Sequence, residues 1–103
     1  MAEPSLNTAQ ALALSTEQKR DLTHRLARVE GQLRGIQRLV ANVEAPEDCD
    51  AVAQQMAAAR KALDRAFVTM LTSTMITQTT NVSDTQLSAE RVQRLAAMLN
   101  KFA

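Results

Sequence analysis

The chain predicts an all-α fold, and three observations carry that expectation. Hydrophobic residues make up 46% of the 103, and they are supplied by Ala, Leu, Val and Met, with two Phe and neither Trp nor Tyr. Gly and Pro occur twice each, so little interrupts a helix, and the β-branched and aromatic enrichment of strands is missing. Apolar residues recur at Leu22, Leu26, Val29, Leu33, Ile36, Val40 and Val43 in alternating steps of four and three. That is the seam of a coiled-coil-like helix. The chain is one domain in length, near the size at which a single core just suffices.

Residues 1–15 are polar and Ala-rich, with Pro4 near the start and no sustained helical repeat, and read as a mobile tail. Ser15 or Thr16 is placed to cap a first helix over about residues 16–44, with Glu17 near the positive end of its dipole. Pro46 ends that helix at or before Ala45, because the residue before proline is pushed out of the α region. A connection this short implies an antiparallel helical hairpin.

The second helix, over about 47–79, starts where proline is tolerated and where Glu47, Asp48 and Asp50 meet the dipole. Its seam runs Cys49, Val52, Met56, Ala59, Leu63, Ala66, Met70, Thr74 and Thr77. From Thr69 the segment turns Thr-rich and loses helix propensity, fraying near Gln78 to Asn81. Ser83 or Asp84 can cap a shorter third helix over about 86–102, with Val92, Leu95, Leu99 and Phe102 on its apolar face. Two long seams exceed what one half-length helix covers. Dimerisation of the hairpins into a four-helix bundle would bury them.

Charge and composition exclude several classes. The net charge of +1 announces no nucleic-acid partner by itself. One cysteine allows no intrachain disulfide and no repeated zinc-ligand spacing. No stretch reaches the ~20 apolar residues of a membrane span, and the start lacks a signal-peptide pattern, so a cytoplasmic protein is expected. Neither a nucleophile–base pair nor a phosphate loop marks an enzyme.

The charges that matter are local. Arg25 and Arg28 lie three apart on the first helix, beside Gly31 and Gly35. Each glycine costs about 1 kcal/mol against alanine inside a helix, which fits either close approach to phosphate or another copy, or tight packing within the bundle. Lys61 and Arg65 are one turn apart on the second helix. Read alone, these residues suit either phosphate contact or a solvated face with pairs such as Arg60 and Asp64. His24 stands alone and reads as a surface residue or a polar contact on that face.

The segments RLARVEGQLRGIQRLV (25–40) and EDCDAVAQQMAAARKALDRAFVTML (47–71) resemble the signature of the CsoR/RcnR/FrmR family of bacterial repressors. The resemblance extends over about residues 18–102. It implies a three-helix protomer, a dimeric four-helix bundle, a tetramer as working unit, and operator DNA bound on a basic face of the first two helices. It assigns Arg25 and Arg65 to that face, to which charge and geometry add Arg28 and Lys61.

The resemblance also implies an effector site at the dimer interface, where a cysteine opening the second helix meets residues near the end of the partner's second helix. Those positions here are Cys49, Thr74 and Gln78, where the family's copper sensors carry Cys, His and Cys. Hydroxyl and amide replace imidazole and thiolate poorly for cuprous ion, which leaves Cys49 as the one candidate metal ligand by position. No cofactor is required, and a copper or other metal ion enters only through the resemblance. The thiol sits at the positive end of a helix dipole among three carboxylates, which act on the thiolate in opposite senses.

The expected function is a repressor released from its operator by a small inducer or metal ion at Cys49, with thiol modification favoured over copper binding. The alternatives are a metal sensor with an atypical site, and a helical scaffold or adaptor without DNA binding.

Overall fold

The computed structural model describes residues 13–80 and 84–102. It contains three helices in chain order, α1 (Thr16–Ala41), α2 (Asp48–Thr79) and α3 (Thr85–Phe102), and no strand among the described residues. The described chain is thus three-helical and all-α, as the sequence predicts. Of the tail expected over 1–15, residues 1–12 lie outside the described residues, as does Ser83.

Each helix end has a local cause. At the start of α1, the Ser15 Oγ accepts the Gln18 N–H at 3.1 Å and the Gln18 Oε1 accepts the Ser15 N–H at 2.8 Å. This reciprocal capping box satisfies two amides that the first turn leaves without partners. Asp84 caps α3, its Oδ1 accepting the N–H groups of Gln86 and Leu87 at 2.9 and 3.1 Å.

The α1 helix stops at Ala41, three residues short of the expected end at 44. That end precedes Ala45, as Pro46 requires, and is marked by Asn42. Its N–H and that of Val43 reach back three residues, to the Leu39 and Val40 carbonyls, and its Nδ2 donates to the Arg38 carbonyl at 3.0 Å. Asp48 then closes the turn, its Oδ2 accepting the N–H groups of both Glu44 and Ala45 at 3.0 Å. Those two bonds stabilise the carboxylate form and hold its pKa below the usual value for aspartate.

The chain divides into two units, and the helices pass from one to the other. The unit Arg20–Val68 holds most of α1 and the first part of α2. Residues Arg25 and Arg28 of α1 line a depression with Ala62 and Arg65 of α2, so the two helices run antiparallel on either side of the turn. Its core is thin: Val29 and Ile36 from α1 meet the level of Ala59 and Ala66 from α2, all buried.

Within this unit the long apolar seams split into two heptad rows. On α1, Val29 and Ile36 are buried while Leu26, Leu33 and Val40 are exposed at 44%, 51% and 55%. On α2, Ala59 and Ala66 are buried while Met56 and Leu63 are about half exposed, and Cys49 lies exposed one heptad before Met56. One row of each helix makes the hairpin, and the other is left open.

The second unit joins the start of α1, up to Lys19, with Thr69 onward. Leu71 of α2 and Leu95 of α3 are buried here, together with the polar residues Thr74 and Gln78. Gln18 ties the α1 cap to α2, its Oε1 also accepting the Thr77 hydroxyl at 2.8 Å.

Candidate functional site

Arg25, Arg28 and Gln32 fall at i, i+3 and i+7 on α1, a spacing that stacks them on one helix face. Across the hairpin, Ala62 and Arg65 belong to the facing side of α2. Together these five residues line a surface depression of about 250 Å³. Three guanidiniums from two helices therefore border one shallow site, and the small Ala62 side chain leaves its floor open. Arg28 and Arg65 are exposed, and Arg25 is partly buried.

Of the three, Arg25 has a carboxylate partner: its Nε donates to the Asp21 Oδ2 at 2.8 Å. With 39% of the Arg25 side chain and 53% of the Asp21 side chain open to solvent, such an i,i+4 pair contributes only about 0.3–0.5 kcal/mol. A phosphate can compete for that guanidinium. Gln32 adds a different feature, since its Oε1 is buried with no hydrogen-bond partner.

Lys61, grouped with these arginines in the sequence, is exposed on α2 but does not line the depression. The residue facing into it at that level is Ala62. His24 is exposed. Gly31 and Gly35 do not mark tight packing within the chain: a Cβ at Gly31 would meet nothing within 4 Å, and one at Gly35 would meet only the Arg38 guanidinium at 4.0 Å.

The other candidate residues divide between the two units. Cys49 is a free, exposed thiol in the first turn of α2. Thr74 and Gln78 are buried near the helix's other end, 8% and 5% exposed. Thr74 spends its hydroxyl proton on the Leu71 carbonyl at 2.8 Å. Gln78 is held twice from α3, its carbonyl accepting from the Arg91 guanidinium at 2.7 Å and its Oε1 from that of Arg94.

The sequence model of the metal-sensitive transcriptional repressor family matches residues 18–101, most of the chain. The chain belongs to that family. Neither a curated relative nor a solved structure matches it.

A member of this family is a transcriptional repressor and not an enzyme, and the family's metal sensitivity makes a metal ion a candidate effector. The donors on this repressor do not fit a soft cation at Cys49, Thr74 and Gln78. The hydroxyl is committed to a backbone carbonyl, and the amide oxygen is committed to a guanidinium whose positive charge opposes a nearby cation. Among the described residues, no three His, Cys, Asp or Glu side chains form a group able to hold a metal ion. No helix among the described residues is long and apolar enough to cross a membrane.

Three residues beside these candidates escape a reading from sequence. Gln32 was visible in principle, because it continues the i, i+3, i+7 row of the arginines, but an amide in a helix gives no charge signal. Arg91 and Arg94 sit on α3, whose apolar face alone was legible. Nothing in their spacing indicates that they reach Gln78.

Proposed function

We propose that this chain represses transcription by binding operator DNA through Arg25, Arg28 and Arg65. The observation that carries the reading is the convergence of three guanidiniums from α1 and α2 on one exposed depression. Each can neutralise a backbone phosphate and release condensed counterions, which supplies affinity, while an arginine reaching a groove can also read guanine. The Gln32 acceptor beside them offers a site for a donor carried by the DNA or its bound water. Lys61 contributes at longer range, as an exposed charge outside the depression.

The working unit is a dimer or tetramer of this chain. Leu26, Leu33, Val40, Met56 and Leu63 form an open apolar flank beside the hairpin core, and a second copy with the same flank would complete a four-helix bundle. The effector acts at Cys49 together with Thr74 and Gln78, brought together between copies. Modification of the exposed thiol, by an electrophile that bonds to Sγ as the thiol proton leaves, is the favoured trigger. Added bulk at the edge of the apolar flank disturbs the packing that fixes the arginines.

A metal-sensing reading is supported by the family match itself, and the donor chemistry at the three positions weighs against it. Two arms of one experiment separate the readings. Gel shifts on the DNA upstream of the protein's own coding sequence are expected to give specific retardation by the wild type. A thiol-reactive agent should then release the DNA, with Cys49→Ala still binding but unresponsive. Absence of specific retardation would leave a helical scaffold, and release by cuprous ion at stoichiometric levels would establish a metal sensor.

A further inference from the structure

We propose that Arg91, Arg94 and Gln78 form a receptor for a small oxyanion, so that the effector of this repressor carries an anionic group. The inference deepens the reading of Gln78 as a sensing position and rests on it.

The geometry is specific to one residue. Gln78 is almost fully buried near the end of α2, and two guanidiniums from successive turns of α3 donate to it, Arg91 to its carbonyl and Arg94 to its side-chain oxygen. A cap on the helix end accounts for the Arg91 bond. It does not account for Arg94, which seeks the neutral amide. Bringing two like charges to one uncharged residue sets them in mutual repulsion, and among the described residues no carboxylate forms an ion pair with either arginine. An anion relieves that repulsion.

The donors to hold it are present. A guanidinium carries five N–H groups in a planar fork, and here one of each is shown bonded to Gln78. The remaining groups can present a bidentate face to an oxyanion. Both arginines line an open surface depression with Leu87 and Glu90. Glu90 is the single carboxylate there, so the lining holds two positive charges against one negative. This balance repels a metal cation and favours an anion. It also fixes a sign: neutralising Glu90 must strengthen anion binding, whereas neutralising either arginine must weaken it.

Two sources can deliver the same chemistry, a free oxyanion or a DNA phosphate, and we assign the free one. The test follows the side-chain Nε–Hε resonances of Arg91 and Arg94 in the full-length, ¹⁵N-labelled protein during titration with inorganic phosphate, without DNA. Saturable shifts of both resonances are expected. With affinity for the same phosphate read by isothermal titration calorimetry, Arg91→Gln/Arg94→Gln should weaken binding by about tenfold or more, Arg91→Lys/Arg94→Lys, which keeps the charge but loses the fork, should weaken it less, and Glu90→Gln should tighten it. The Lys variant keeps the test valid if the Gln variant loses helix content by circular dichroism.

Resonances that do not move, or a Glu90→Gln protein that binds phosphate more weakly, would overturn the proposal. So would a loss of operator affinity above about tenfold in the Gln variant without added phosphate, which would assign the arginines to DNA. The titration needs no operator. Phosphate binding without any DNA retardation would therefore refute the repressor reading alone, and retardation without phosphate shifts would refute this site alone.

Discussion

Asp48 and Gln18 show how single polar side chains set the ends of the helices. The Asp48 carboxylate accepts two backbone N–H groups, from Glu44 and Ala45, and its pKa is lowered by them. A folded-state pKa below the unfolded value contributes stability that is fully present above the ordinary carboxylate range and is lost as pH falls through the folded pKa. Asp48→Asn should therefore lower the melting temperature near neutral pH, and the difference from wild type should shrink steadily on acidification below about pH 4. A difference independent of pH would remove the carboxylate from the turn. Gly31 gives the complementary case, because a methyl group there meets nothing within 4 Å. Gly31→Ala should raise stability by about 0.5–1 kcal/mol in urea denaturation. A loss of stability instead would mean that another copy of the chain covers that face.

At the scale of the helices, the capping box of α1 doubles as a tie. The Gln18 Oε1 accepts both the Ser15 N–H and the Thr77 hydroxyl, each at 2.8 Å. Gln18→Ala removes both bonds at once, so it should cost about 1–2 kcal/mol, more than Thr77→Val, which removes one. Equal losses in thermal melts would make the bond to Thr77 alone responsible. The sequence made the existence and kind of each helix legible through the four-and-three spacing of apolar residues. Its exact stops were less legible: Pro46 sets only an upper bound at Ala45, and α1 ends at Ala41, where the Asn42 side chain donates to the Arg38 carbonyl. The same limit governs the seams. Periodicity shows that Leu26 and Val29 share a face, yet which of them the hairpin buries depends on how α2 approaches; Val29 is buried, with Ala59 and Ala66 the buried residues of α2.

At the scale of the whole molecule, an open apolar flank and a basic depression border the same hairpin. The five large apolar side chains of that flank are each about half exposed, and complete burial of such a residue contributes about 1.5–3 kcal/mol. A second copy would thus gain on the order of several kcal/mol, and Leu33→Glu, which places a charge in the flank, should convert an oligomer into a monomer in sedimentation equilibrium. A wild-type protein already monomeric at micromolar concentration would contradict this. That Arg25, Arg28 and Arg65 share one depression follows the motif and helical spacing read in the sequence, whereas the burial of the Gln32 acceptor and the bonds of Arg91 and Arg94 to Gln78 depend on how the helices pack and were not legible.

The central claim, that Arg25, Arg28 and Arg65 form a phosphate-binding face, is tested most directly by the salt dependence of operator affinity. Arg65→Ala should weaken binding to every DNA sequence and reduce the slope of log affinity against log salt by about one for each protomer contacting DNA. Lys101→Ala removes an equal charge from the end of α3 and should leave the slope unchanged. An Arg65→Ala protein with the wild-type slope and affinity would contradict the account.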